Sequence, residues 1–515
     1  MNRKCFAGLA GVLACACGSS AAIASETPTA LENDQLQRLT QYTLDAIQPN
    51  GLVRDALTLN PSVPPFHPAT PDAAGFALIA LCAADHLGYT TIAEQRVEDI
   101  LRAYSGLVPG VTPQRSTSGH WIHFMNLSTG LYQPGWDDAY SPIGSALIVA
   151  GAQFAANHFV ENQTINTLAD QLQASVDFND AIHPSLDGRI WLSVGPNGGG
   201  DASFGAVSPW NEYMLVLSLA LDEQSNGPAN AIAAQWLATQ LIPKATYAGI
   251  ETITDSAGNF APAFWVQQQH YFNADFRRAP NFPQYFLNHR DADKAYSAAA
   301  FGEAFRYGLT AGVSPTGYAV DRINATPGTF SPAVAGGFGD MDTLAQWAAL
   351  QPPPSNPSYR YGMVRQSQSQ PGWVQPDAGL VDRLFLMFGI VEHLEPLFFV
   401  QRQFGQVDVD ADGIADDHDN CDQFNPDQLD ADNNGVGDAC QVPVCTADVT
   451  STGTANGVPD GAVDLSDFSY YLTLWSGSDP IADVTTTGSA SGVPDGSVDL
   501  SDFSFYLTLW SAGCP

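Results

Sequence analysis

Between residues 26 and 407, apolar residues recur at intervals of three and four, the spacing that gathers side chains on one face of an α-helix. Leu36-Leu39-Tyr42-Thr43-Ala46, Ala74-Ala77-Leu78-Leu81, Leu147-Ala150-Gly151-Phe154-Ala155, Leu168-Leu172-Val176 and Met214-Leu217-Ala220 all follow it. Gly-, Pro- and aromatic-rich stretches separate these runs, among them 108–119, Pro134-Gly135-Trp136 and 195–205. Long loops in a compact domain usually carry function, so the pattern predicts a mainly α domain, a toroid of helical hairpins with a cleft at one rim. Trp121, Trp136, Trp210, Trp265 and Trp373 fall in or beside the loops. Each suits a binding rim, and each also suits ordinary packing. Cys82, inside the run 76–84, reads as a buried core thiol.

The chain ends differ from this pattern. Met1-Asn2-Arg3-Lys4, an apolar run from Cys5 to Cys17 and Ala22-Ile23-Ala24 read as an export signal over residues 1–24. A lipoprotein box, Val12-Leu13-Ala14-Cys15, is the alternative. No later apolar run approaches the roughly 18 residues of a membrane helix. The expectation is an exported protein, secreted or held at the cell surface, without a membrane span.

The formal charge of −35 is uneven. Residues 408–515 hold twenty Asp and no Lys, Arg or Glu. Such a strip repels itself unless cations bind it, and it disfavours nucleic acid and anionic membrane as partners. Divalent metal is the expected counter-charge.

Two patterns fill that tail. The first combines Asp408, Asp410, Asp412, Asp416, Asp419 and Cys421 with Asp430, Asp432, Asn434, Asp438 and Cys440. With its glycines and Asn425-Pro426, it resembles a thrombospondin type 3 repeat over 408–441. The second runs over 445–515, where 447–476 returns almost letter for letter as 482–511. Asp448, Asp460, Asp464 and Asp467, and likewise Asp483, Asp495, Asp499 and Asp502, place hard oxygens on a glycine-pinched turn entering a helix, the donor type Ca2+ selects. This duplication resembles a dockerin module with an inserted segment. The resemblance implies structural Ca2+ in the tail and a cohesin-like or cell-surface partner; a calcium-stabilised cap without a partner is the alternative. Cys421, Cys440, Cys445 and Cys514 are expected to form disulfides, with three pairings open. No nucleotide motif or convergent metal ligand set is found in 26–407.

That larger region is similar to the glycoamylase-like domain family. The similarity lies in Asn50 to Asp55, Thr70 to Phe76, Gly119 to Phe124, Ala146 to Ala152, Leu168 to Asp170, Trp210 to Leu215, Asp275 to Arg277, and Asp377-x-Gly379. It implies an (α/α)6 barrel over 26–407, mainly α, followed by small calcium-binding modules. It also implies inverting hydrolysis of a polysaccharide, β-1,2-glucan leading. Inversion needs one carboxylic acid to protonate the leaving oxygen and one carboxylate to activate water. Glu212, set between Trp210-Asn211 and an apolar helix, is expected as the acid, and Asp377, expected to begin a hydrophobic helix, as the base or water-positioning group. Plain structural roles for them are a buried hydrogen-bonded carboxylate and a helix N-cap. Trp121, His123, Asp138, Trp210, His270, Arg277 and Trp373 are the expected substrate contacts.

Three departures from the family pattern stand out. Ser141-Pro142-Ile143-Gly144 lacks a carboxylate that relatives carry, with Asp137 and Asp138 as nearby substitutes. Met363-Val364-Arg365-Gln366 lacks an acid, and Gln267-Gln268-Gln269-His270-Tyr271 replaces a His-rich string. Substrate choice is therefore open, and so is loss of hydrolysis. A polysaccharide lyase using His270, Tyr271, Arg277 and Arg278, and an inactive glycan-binding barrel, are the other two readings.

Overall fold

The computed structural model describes residues 27–60, 66–223, 227–238, 240–278, 281–325, 328–403, 447–455, 457, 462–488 and 494–512. The chain divides into two compact units, Met1–Val407 and Asp408–Pro515.

Thirteen helices build the first unit among its described residues: α1 (Ala30–Ala46), α2 (Pro71–His86), α3 (Ala93–Tyr104), α4 (Pro142–His158), α5 (Gln163–Gln173), α6 (Met214–Glu223), α7 (Pro228–Leu237), α8 (Ala263–Phe272), α9 (Ala274–Arg278), α10 (Phe282–Phe301), α11 (Pro332–Gly337), α12 (Met341–Ala348) and α13 (Val381–Leu394). The runs expected to be helical fall on α1, α2, α4, α5 and α6. Helices α2, α4 and α6 are apolar on every face and nearly wholly buried, which forces them inside. α3 and α5 are amphipathic, bury one stripe and lie outside. Contacts run α2–α4–α6–α8–α11–α13 and back to α2, a closed cycle of six. α1, α3, α5, α7, α10 and α12 each pack against a member of the cycle.

Glycine lets neighbouring inner helices approach closely. A Cβ on Gly75 of α2 would overlap the Leu147 carbonyl of α4, and one on Gly389 of α13 would overlap the Gly336 carbonyl of α11. Among the described residues, four antiparallel strand pairs decorate the helices: β1 (Ala56–Thr58) with β8 (Asp377–Gly379), β2 (Ile190–Trp191) with β3 (Ala206–Val207), β4 (Lys244–Tyr247) with β5 (Ile250–Ile253), and β6 (Ala311–Ser314) with β7 (Gly317–Val320). Asp377 therefore lies in a strand opposite Thr58 and does not begin a helix; Leu380 is the N-cap of α13. The expectation that Asp377 begins a helix is corrected accordingly, and with it goes the alternative of an N-cap role. The reason is long-range: pairing with β1 draws 377–379 into extended backbone.

The second unit has its own small core. Its two copies meet through α14 (Leu465–Ser476) and α15 (Leu500–Ala512). Tyr471 and Tyr506 stack at 3.5 Å, and each hydroxyl donates to the backbone of the other copy's first turn, Ala482 and Ala447, at 2.9 Å. Trp475 Nε1 donates to the Asp499 carbonyl at 2.7 Å and Trp510 Nε1 to that of Asp464 at 2.9 Å. The sequence duplication has become a two-fold pairing of helices. Asp467 accepts from Val449 and Thr450 N–H, and Asp502 from Val484 and Thr485 N–H. Asp483 accepts from Asp495 and Gly496 N–H. The carboxylates thus share one loop per copy, although among the described residues no three acidic side chains converge on a point. Asp460, the acidic cluster 408–438, the four tail cysteines and residues 1–24 lie outside the described residues. Among those described, no helix is long and apolar enough to cross a membrane.

Candidate active site

A cleft of about 610 Å³ opens at the N-terminal ends of the inner helices. The sequence directs this locally. Thr70 caps α2 through Ala73 N–H with Pro71 in the first turn, and Ser141 caps α4 through Gly144 N–H with Pro142 likewise. These caps set Asp72 and Ile143 at the cleft floor. Asn211 accepts from Tyr213 N–H at 2.9 Å and donates to the Ser208 carbonyl at 3.0 Å, shaping the turn that presents Glu212 before α6. Gln268 and Gln269 of α8 donate to the Glu212 carbonyl at 3.3 and 2.9 Å. The glutamine run thus serves as backbone staples, Gln267 reaching the Val334 carbonyl of α11 at 2.9 Å.

Among the described residues, four carboxylates line the cleft: Asp55, Asp72, Glu212 and Asp377. Two histidines join them. His67 lies 3.8 Å from Asp55 by Nδ1 and 3.4 Å from Asp377 by Nε2. His123 lies 3.5 Å from Asp72 by Nε2 and 3.5 Å from Asp137 by Nδ1. Each imidazole bridges two acids.

Burial raises the Glu212 carboxyl to about 7, against the weaker pull of its own backbone N–H and the Trp265 indole. Its Oε2 is buried without a hydrogen-bond partner. Burial likewise raises Asp55 and Asp72, opposed by the histidines beside them. For His123, burial presses downward, but Asp137, Asp72 and Asp55 outweigh it and raise the imidazole. Asp137 itself is pressed upward by burial and held below the usual carboxylate range by His123. Carboxyls raised by burial, Glu212, Asp55 and Asp72, thus stand near one lowered by an imidazole, Asp137, and environments that push carboxyl pKa values apart in this way suit acid–base work.

Of the residues expected at the site, Glu212, Asp377 and His123 line the cleft. The others do not. Trp121 is fully buried, donates to the Tyr104 carbonyl at 3.3 Å and lies under the Arg115 guanidinium. Trp210 is fully buried against Phe276 and Phe282. Both are core residues, because an indole in a loop that folds inward gains more from packing than from exposure. Trp373 sits partly exposed on the loop before β8, outside the lining. Asp138 points to solvent, and its neighbour Asp137 reaches His123 instead.

His270 and Arg277 are also corrected. They clasp Glu392 of α13 in a buried cluster, His270 Nε2 at 2.8 Å, with the His270 ring stacked on Phe286. Burial presses Glu392 upward, but Arg277 and His270 dominate and hold it well below the usual range. Tyr271, wholly buried, donates to the Gly337 carbonyl. These three tie α8 to α11 and α13 and do not face the cleft; the Arg278 side chain lies outside the described ones. Replacing Arg277 with methionine should strand the Glu392 charge and cost about 3–5 kcal/mol of stability. Thermal melts check this, since a cleft residue would lose activity with the melt unchanged.

Asp55, His67, Asp72, Phe124 and Tyr318 were not expected as site residues, whereas Asp137 was expected only as a substitute carboxylate and Trp136 only as a loop aromatic suited to a rim. The signal for two of them was present: Asp72 follows a Thr-Pro cap, and Asp55 ends a polar break before it. The carboxylate absent at Gly144 has a spatial counterpart. A Cβ there would lie 2.7 Å from Pro71 Cγ and 2.9 Å from Asp72 Oδ2, so Asp72 fills the place where a side chain would begin.

No protein-family model matches this chain, and no curated protein does either. Solved structures do. An endo-β-1,2-glucanase from Chitinophaga pinensis, in complex with sophorotriose and glucose, superimposes with a TM-score of 0.61 at 17% identity, covering 72% of this chain and 94% of that one. A β-1,2-glucanase from Parabacteroides distasonis gives 0.62 at 16%, covering 73% and 58%. A protein from Bacteroides fragilis NCTC 9343, provisionally named a glucoamylase, gives 0.63 at 21%, covering 75% and 95%. At these identities the likeness establishes the fold, a mainly helical toroid of the glucoamylase-like type.

Proposed function

We propose that this chain is a glycoside hydrolase that cleaves a neutral glucan with inversion, β-1,2-glucan being the leading candidate, on an (α/α)6 barrel. The observation that carries the reading is Glu212, a carboxyl raised to about 7 in a cleft with three further carboxylates. Near neutral pH a substantial fraction of it still carries the proton that goes to the glycosidic oxygen as the bond to the anomeric carbon breaks. Asp377 takes a proton from the water attacking the opposite face, and His67, 3.4 Å away, answers the change in charge. Asp72, with His123 and Asp137, holds the hydroxyls of the sugar at the cleavage point. The fold's glucanase neighbours support the substrate class.

Charge favours a neutral chain. The described lining holds four carboxylates and neither Lys nor Arg, so a uronic polymer would meet repulsion, and two of the residues a lyase would need, His270 and Arg277, are spent on Glu392. The test is release of reducing ends from a panel of neutral glucans by the parent and its Glu212→Gln variant. Activity in the parent alone supports the reading, and absorbance from an unsaturated product contradicts it.

The tail is read as an exported enzyme's calcium-bound attachment module, with a cohesin-like or cell-surface partner and disulfides among its cysteines. Its support is the donor chemistry: Asp448, Asp464, Asp467, Asp483, Asp495, Asp499 and Asp502 supply hard oxygens on two equivalent loops, in a stretch with no Lys or Arg. Titrating Ca2+ into chelator-treated protein should release heat and raise a separate melting transition of the tail. An unchanged melt and no heat would leave the tail without calcium.

A further inference from the structure

The β6–β7 hairpin contributes Ala311, Gly312, Val313 and Tyr318 to the cleft, although no expected site residue lies in it. Tyr318 faces Val313 across the hairpin and is 76% exposed, the most exposed large apolar side chain among the described residues. An exposed aromatic side chain lining a cleft offers a surface on which a flat, weakly polar ligand can stack.

The hairpin's root, unlike its exposed tyrosine, is firmly held. Arg365 is buried, and its guanidinium donates to the carbonyls of Thr310, Ala311 and Val313 at 3.0, 2.8 and 3.3 Å and to Thr329 Oγ1 at 3.0 Å. Gly312 makes the approach possible, because a Cβ there would lie 2.5 Å from Arg365 Nη1. Arg365 also donates its backbone N–H to Gln375, two residues before Asp377, at 2.9 Å. Asp321, at the hairpin's exit, accepts from the Gly328 and Thr329 N–H groups at 2.7 and 3.0 Å. One buried arginine thus fixes the Tyr318 hairpin and joins it to the segment carrying a cleft carboxylate. The departure at Met363 to Gln366 gains a structural purpose here.

We infer that Tyr318 is a sugar-stacking platform at the cleft mouth, binding a neutral hexose unit of the polysaccharide beyond the cleavage point, and that Arg365 is the positioning residue that pre-sets it. The occupant follows from the lining. Carboxylates exclude an anionic ring, and the apolar face of a hexose fits the exposed phenol face while its hydroxyls stay in water. Phe124 and Trp136, with centroids 4.6 Å apart, give the same cleft a second aromatic panel. A platform fixed before binding loses little entropy when the chain docks. This inference rests on the glucanase reading for its substrate.

The test uses the full chain with linear β-1,2-glucan, the other neutral glucans of the panel and the trisaccharide sophorotriose. Tyr318→Ala should raise KM for the polymer about tenfold, leave kcat within about twofold and change the trisaccharide less, while Tyr318→Trp keeps the parent KM. Arg365→Met should raise the polymer KM in the same way, add little to Tyr318→Ala, and speed amide exchange over 310–320. If Arg365→Met fails to fold, the Tyr318 pair decides alone. Hydrolysis by the parent with an unchanged KM in Tyr318→Ala overturns the platform and leaves the hydrolase reading intact. Retardation of the parent in glucan-containing gels without hydrolysis overturns the hydrolase reading, and loss of that retardation in Tyr318→Ala still supports the platform. A parent that neither binds nor cleaves any neutral glucan overturns both.

Discussion

Glu212→Gln is expected to lower kcat on the cleavable glucan by about a thousandfold, with KM little changed, because the amide fills the same space but has no proton to give. The loss should depend on the leaving group. A substrate releasing a dinitrophenolate needs little protonation and should lose far less. The pH profile adds a second signature. Burial raises the Glu212 carboxyl to about 7, so the parent's rate should fall as pH rises through that value. The variant's residual rate should lack this alkaline limb.

The same substitution should stabilise the fold in base. A carboxyl whose folded pKa exceeds its unfolded one favours the folded state at low pH and burdens it once both states are ionised. Above pH 7 the parent therefore carries the cost of a buried charge. Glu212→Gln should melt higher at pH 8, by an amount equivalent to about 1–3 kcal/mol, and show almost no difference at pH 4. A catalytic carboxyl held at a stability cost behaves this way; a satisfied structural carboxylate would show the opposite, since Gln would then break its bonds.

Asp377→Asn is expected to cost about a hundred- to a thousandfold in kcat, equally for polymer and activated substrates, because water must be activated whatever the leaving group. Azide, which attacks without surrendering a proton, should restore turnover of the activated substrate. Asp72→Asn serves as the control. Azide rescue in Asp72→Asn and none in Asp377→Asn would transfer the base role to Asp72, whose carboxylate stands 3.5 Å from His123 in the same cleft.

Much of the scaffold was legible because it obeys one local rule. Apolar runs such as 76–84 and 146–152 have no polar face to show to water, so they must be inner helices, and the amphipathic α3 and α5 must cover them. Glu212 was legible for a related reason, a lone acid wedged between Trp210-Asn211 and an apolar helix. The misplacements share a cause: partners distant in sequence. The Glu392 that draws His270 and Arg277 out of the cleft lies 122 residues from His270. The β1 strand that makes Asp377 extended rather than helical comes more than three hundred residues earlier. Trp121 and Trp210 were read from loops, yet burial is set by where a loop folds, which spacing does not encode. The choice between Asp137 and Asp138 turned on one residue of backbone alternation, settled by His123. The β6–β7 hairpin escaped notice because two four-residue strands carry almost no periodic signal.

The most direct test of the central claim is the anomeric configuration of the first product, followed by proton NMR while the full chain digests β-1,2-glucan. With inversion, the new reducing end appears first as the α-anomer and then mutarotates, and Glu212→Gln forms it about a thousandfold more slowly. A β-anomer appearing first, or hydrolysis undiminished by the loss of Glu212, would contradict inversion with Glu212 as the acid.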